Sequence, residues 1–252
     1  MDKHVLIKEK IAKMQELTED DVLEIFKLKV TNAKRILKTA YHLRLSLKAE
    51  AKLFELADEQ ELFGFIIPKI RLREKFQLRL FELKNAQEIL RSYIYISRWP
   101  LYPEAQLRLF ELDDDFGTLN LHVLKHGLCQ QAQLKLFEPD KNAEILKFYI
   151  SKYYLFPEAA LKLFELKNSG EMLKLYAGKH GLNPKVALKL FERDDVSEIL
   201  RLHIPEHRLC EEAQLMLFTL QDAQELLELY INKHPLCQKA QLKLLELSKI
   251  GK

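Results

Sequence analysis

The segment QLRLFEL at Gln77–Leu83 returns as QLRLFEL at Gln106–Leu112, QLKLFEP at Gln133–Pro139, ALKLFEL at Ala160–Leu166 and ALKLFER at Ala187–Arg193. Its aromatic falls at Phe54, Phe81, Phe110, Phe137, Phe164, Phe191 and Phe218, with Leu245 last. The interval is 27 residues throughout except for one of 29 between Phe81 and Phe110. Phe26, in EIFKL, marks a degenerate earlier copy. A fixed period of this length is the signature of stacked supersecondary units, none of which can bury its own apolar face alone. Repeats are counted here from Leu45, Leu72, Leu101, Leu128, Leu155, Leu182, Leu209 and Leu236, and positions within a repeat run from that leucine as position 1.

The consensus LxxEAQLKLFELxD/NAxEILxxYIxKHx holds two short helices. Helix A carries LKLFEL. Helix B carries AxEILxxYI, with an Asp or Asn at position 14 (Asn85, Asp114, Asn168, Asp195, Asp222) placed to cap it. Gly127, Gly181 and Pro235 punctuate its end. Only 7 glycines and 8 prolines occur in 252 residues, too few for a turn-rich β fold, and Leu, Lys, Glu and Ala dominate. On a helical wheel, helix B has one apolar stripe (positions 15, 18, 19, 22, 23). Helix A is apolar on both flanks, with a narrow wet ridge of Lys/Arg and Glu. The expected fold is therefore all-α: a right-handed α-solenoid of about eight two-helix repeats with a 27-residue period, helix A inside and helix B outside. We expect one domain over 1–252, with a capping helix at 1–16, repeats over 17–235 and a truncated repeat at 236–252.

The spacing EAxLxLFELxDAxEILxxYI over residues 17–247 resembles the short HEAT-like repeats of the phycobilisome-lyase type and the leucine-rich-variant repeats. The resemblance implies a curved α-solenoid scaffold that usually binds protein and, in one DNA-repair branch, cradles duplex DNA. It implies no reaction.

Several surfaces invite a functional reading. Position 8 forms a ladder of cations, Lys52, Arg79, Arg108, Lys135, Lys162, Lys189 and Lys243, interrupted by Met216. Such a ladder suits a phosphate backbone or an acidic polypeptide. The competing expectation is neutralisation by the glutamates three residues on, Glu55, Glu82, Glu111, Glu138, Glu165, Glu192 and Glu246. A second cluster, Lys69, Arg71, Arg73, Lys75 and Arg79, lies with Arg91, Arg98 and the single tryptophan, Trp99, in the 29-residue repeat. An aromatic amid arginines anchors an interface or stacks on a base, or else refills a bend between differently angled repeats.

Other residues point away from chemistry. His126, His180, His207 and His234 recur at position 26 a full repeat apart, too far for one metal ion, and suit a helix C-terminus. His122 and His203 replace Tyr at position 22 and should be satisfied interior groups. Cys129, Cys210 and Cys237 share position 2 as small fillers, and neither CxxC nor CxxH spacing occurs. Carboxylate pairs such as Asp20–Asp21, Asp113–Asp115 and Asp194–Asp195 fall in expected turns. No phosphate loop, GxGxxG or GxSxG is present.

The net charge of +3 selects no partner by bulk attraction. These features predict a non-catalytic scaffold without cofactor or metal. Its favoured partner is a protein, in an adaptor, inhibitor or immunity-type role, bound through Lys69, Arg71, Arg73, Lys75, Arg79, Arg98, Trp99, Arg108, Lys135, Lys162 and Lys189. The alternative partner is nucleic acid, gripped around residues 69–79. No apolar run suggests a leader or a membrane span, and the cysteine usage fits a reducing cytoplasm. Leu242, Leu244, Leu245 and Leu247 lack a following helix B in this sequence, which raises self-association through the last repeat.

Overall fold

A computed structural model describes residues 3–28, 30–37, 43–56, 60–112, 117–138 and 143–250. The carboxylates Asp113, Asp114 and Asp115 lie outside the described residues. Eighteen α-helices occur among those described, in two compact units, 1–132 and 133–252. Among the described residues no helix is long and apolar enough to cross a membrane.

The first unit opens with α1 (Lys3–Ala12), β1 (Glu16–Leu17), α2 (Glu19–Phe26), α3 (Val30–Leu37), β2 (Arg44–Leu45) and α4 (Leu47–Glu55). It continues through α5 (Gln60–Ile66), α6 (Glu74–Leu80), α7 (Ala86–Ile96), α8 (Pro103–Arg108) and α9 (Gly117–Lys125) into α10 (Gln130–Lys135). The second unit holds α11 (Ala143–Lys152), α12 (Pro157–Lys162), α13 (Ser169–Ala177) and α14 (Pro184–Leu190). It closes with α15 (Val196–His203), α16 (Glu211–Leu217), α17 (Ala223–Ile231) and α18 (Gln238–Ile250).

Packing is sequential in both units. A-type helices lie on the next A-type helix, as in α2 on α4, α6 on α8, α12 on α14, α14 on α16 and α16 on α18. B-type helices do the same: α3 on α5, α7 on α9, α11 on α13, α13 on α15 and α15 on α17. Burial follows register position. Position 5 is buried in every repeat (Ala49, Phe76, Ala105, Ala132, Ala159, Val186, Ala213, Ala240), and so is position 9 from Leu53 through Leu217. An alanine at position 5 lets neighbouring A helices approach closely, while the position 9 leucine fills the space towards helix B.

Two expectations need correction. Helix A is buried on one flank only, because position 7 and, from Phe81 on, the position 10 Phe are half-exposed. Asn85, Asn168, Asp195 and Asp222 do occupy the N-cap of helix B, yet none makes a side-chain cap. Their backbone has ψ between 14 and 38°, not the extended value that folds a cap side chain back over the first turn. Genuine caps stand before helix A, from Thr18, Ser46 and Asn183, with Pro184 in the first turn of the helix that Asn183 caps and Pro103 and Pro157 in the first turn of others. Gly127 and Gly181 do stand just past the ends of helix B, at Lys125 and Ala177, without adopting the left-handed conformation. The links that open the first repeats are extended and run in parallel: Glu16 pairs with Arg44, Leu17 with Leu45, and Leu43 bridges Ile70.

Candidate functional site

Most of the cation ladder is matched within the protein. Lys52, Arg108, Lys135 and Lys162 each pair with the glutamate three residues on, at 2.8, 2.5, 2.8 and 2.7 Å from Glu55, Glu111, Glu138 and Glu165. Where this pair is not made, the cation sits over the position 10 ring of the preceding repeat. Arg79 lies 5.0 Å from the centre of Phe54, Lys189 5.1 Å from Phe164 and Lys243 5.1 Å from Phe218. The half-exposed phenylalanines thus explain both the extra wet surface of helix A and the anchoring of its basic side chains.

The cluster in the Leu72 repeat divides into engaged and free residues. Lys69 lies 5.1 Å over Phe65 and Lys75 4.8 Å over Phe76. Burial draws the Lys69 ammonium below its ordinary range. Arg73 is 3.0 Å from Glu50 and 3.9 Å from Glu16, and donates to the Leu45 carbonyl at 3.3 Å. Burial raises the Glu50 carboxyl, opposed by the Arg73 charge and by the Arg73 backbone N–H that it accepts. Arg71 and Arg98 are exposed with no partner among the described residues. Trp99 is half-buried, and its N–H donates to Ser97 Oγ at 3.1 Å.

Beside Trp99, the ends of α7 and α9 carry Tyr95, Ile96 and Leu124, exposed by 70%, 54% and 51%. Lys125 ties these ends together. Its Nζ donates to the carbonyls of Ile94, Tyr95 and Ser97 at 2.7–2.9 Å, satisfying the last turn of α7 from the next repeat. The basic cluster of the sequence is therefore spread over several surroundings. The exposed apolar patch went unrecognised because Tyr95, Ile96 and Leu124 read as ordinary helix B residues.

Sequence reasoning also missed an amide at position 6. Gln77, Gln106, Gln133 and Gln214 are buried, and each Oε1 accepts from the position 2 N–H of the following repeat. Those donors are Tyr102, Cys129, Phe156 and Cys237, all at 2.7 or 2.8 Å. Gln106 and Gln214 also donate to position 1 of their own repeats, Leu101 and Leu209, at 2.7 and 2.9 Å. Position 22 supplies the complementary acceptor: Tyr176 Oη and His122 Nε2 receive the position 1 N–H of Leu155 and Leu101 at 3.2 and 3.4 Å.

The histidines serve structure. His180 and His234 donate to Ile150 and Ile204, at the end of the preceding helix B, at 2.8 and 2.7 Å, and His203 Nδ1 donates to Ala177 at 2.9 Å. They favour a helix C-terminus as expected, but it is the neighbour's. Burial drives His122 down to about 3, with the nearby His126 adding to it, and His203 down to about 4. His122 is only half satisfied, since its buried Nδ1 has no hydrogen-bond partner among the described residues. Cys237 is buried, whereas Cys129 and Cys210 are half-buried. Among the described residues no group of three or more His, Cys, Asp or Glu could hold a metal ion. Leu242, Leu245 and Leu247 of α18 are exposed. In comparisons with known families, curated proteins and solved structures, no match was found.

Proposed function

We propose that this protein is a non-catalytic scaffold that binds another protein. In the same reading its sequentially packed helix pairs are stretches of right-handed α-solenoid with a 27-residue period, preformed so that little ordering cost opposes association. The observation that carries this reading is the exposed patch of Tyr95, Ile96 and Leu124, with Arg98 and half-buried Trp99 beside it. Tyr, Trp and Arg in and beside an apolar patch have the composition of an interface anchor. A phosphate track along the ladder is less favoured, because its cations already face glutamates or phenyl rings.

Affinity capture of partners by the wild-type chain and by a Tyr95→Ser, Ile96→Ser, Leu124→Ser variant, followed by quantitative binding of any captured protein, tests the reading. We expect a saturable complex that the triple variant weakens by at least about tenfold, the effect of losing about 1.4 kcal/mol at an anchor. A partner bound equally by both chains refutes the patch. Tight binding of generic duplex or single strands, falling steeply with salt, refutes the protein reading in favour of nucleic acid.

A further inference from the structure

The parallel links at the start of the first unit bring charges into one row. Glu16 is in register with Arg44 across β1 and β2, and Leu43 bridges Ile70, so the next residues on those two chains are Arg44 and Arg71. Neighbouring strands lie about 4.8 Å apart. Arg44 and Arg71 are therefore neighbours across the links, a like-charge pair with Glu16 on the other side of Arg44. Both are exposed, and neither makes a hydrogen bond, ion pair or ring contact with the described residues. Both line a cleft of about 330 Å³ together with Arg73, Tyr102, Glu16 and Glu50. Arg73 is held at its rim by Glu50 and Glu16, 3.0 and 3.9 Å away, so the carboxylates of the cleft are directed at Arg73. Three arginines against two glutamates leave the cleft a net charge of +1, with the side chains of Arg44 and Arg71 unengaged among the described residues.

We propose that this cleft is a phosphate-monoester site, filled by a phosphorylated side chain of a protein partner. A carboxylate brings one negative charge and two acceptor oxygens, which fill the fork of one guanidinium group. A phosphate monoester brings close to two above its second pKa near 6, with three acceptor oxygens, and two adjacent arginines can each grip it with paired N–H donors. Glu50 is buried and accepts the Arg73 backbone N–H, which fixes the wall of the cleft before any ligand arrives. The site rests on the protein-binding reading but uses none of the residues of the Tyr95 patch.

The test is titration of the full chain with capped Ala-phosphoserine-Ala, inorganic phosphate and glucose 6-phosphate, followed by arginine Nε resonances and by thermal shift. Wild type, Arg44→Gln, the Arg44→Gln/Arg71→Gln pair and Arg79→Gln are compared. Expected is saturable binding of the phosphopeptide, weakened at least about tenfold by the pair, as loss of charge-assisted hydrogen bonds requires. Arg44→Gln alone should give an intermediate loss, and Arg79→Gln none. Binding should fade below pH 6 as the phosphate becomes a monoanion. No saturable binding to wild type, or binding undiminished in the pair, overturns the site. Glucose 6-phosphate binding without phosphopeptide binding overturns the protein source in favour of a free phosphorylated metabolite. Oligonucleotide binding that displaces the peptide and needs both arginines overturns it in favour of nucleic acid. The Tyr95→Ser, Ile96→Ser, Leu124→Ser variant should bind the phosphopeptide normally, so failure of the patch and failure of the cleft are separate results.

Discussion

Acid should unfold both units through two buried histidines, and the size of the effect follows from their surroundings. His122 in the first unit and His203 in the second are fully buried. His122 accepts the Leu101 N–H through Nε2, so it must be neutral there, and burial holds it near 3. His203 donates through Nδ1 to Ala177 and is held near 4. In an unfolded chain both return to about 6.5. Between the folded and unfolded values the unfolded state binds more protons, so stability is complete above about pH 7 and declines as the pH falls. The decline is about 1.4 kcal/mol per pH unit for each histidine, hence about 2–3 kcal/mol each at pH 4.5. Against a typical total of about 5–15 kcal/mol this is a large share. Urea titrations followed by far-ultraviolet circular dichroism at pH 7.5 and 4.5 give the loss, to which carboxylates also contribute. Substituting tyrosine, which stands at the same position as Tyr93, Tyr149, Tyr176 and Tyr230, isolates the imidazoles. His122→Tyr and His203→Tyr should each shrink the difference between the two pH values by about 2–3 kcal/mol, whatever they do to stability at pH 7.5. A double variant that loses as much stability in acid as the wild type, or the His122 or His203 imidazole of the folded protein titrating near 6.5 by NMR, would refute the reasoning.

Three further outcomes follow from the bonds between repeats. Gln106→Leu leaves the Cys129 N–H and the Leu101 carbonyl without their partner and should cost about 2–4 kcal/mol in urea titration, whereas Gln241→Leu, at an exposed copy of the same position that donates only to the Leu236 carbonyl, should cost about 1 kcal/mol or less. Glu50→Gln installs the amide found at this position in other repeats and removes a buried carboxylate. Because burial raises its folded pKa, the wild type gains stability as the pH falls towards the unfolded value, so the variant should be the more stable protein at pH 7 and lose that advantage near pH 4. Lys125→Met deprives three carbonyls at the end of α7 of their donor and should accelerate amide hydrogen exchange in its last turn, leaving the middle of that helix protected.

Burial at positions 5 and 9 was legible because apolar periodicity reports directly on which face of a helix is dry. The bonds between repeats were not, because hydropathy treats Gln77 or Gln106 as a surface residue, and a helical wheel stops at the helix it describes. The signal was nevertheless present: a polar amide recurring between buried positions 5 and 9 must have a partner, and with a fixed period that partner must recur too. Position 6 meets position 2 of the next repeat, as Gln133 meets Phe156. Position 20 meets position 17 of the next, as Lys147 meets Glu171, Lys174 meets Glu198 and Arg201 meets Glu225. Position 26 meets position 23 of the one before, as His234 meets Ile204. A repeat that follows the consensus thus spends its polar groups on its neighbours and leaves little for a ligand. Departures from it should leave groups over. In the Leu45 repeat the amide is replaced by Glu50, which engages Arg73, while the side chains of Arg44 and Arg71 beside them have no partner among the described residues. In the 29-residue repeat the extra residues around Trp99 break the spacing, and Tyr95, Ile96 and Arg98 remain exposed. Both proposed sites lie where the period is broken in chemistry or in length and groups are left over; Ala160 and Ala187, which also lack the amide, leave no polar side chain behind.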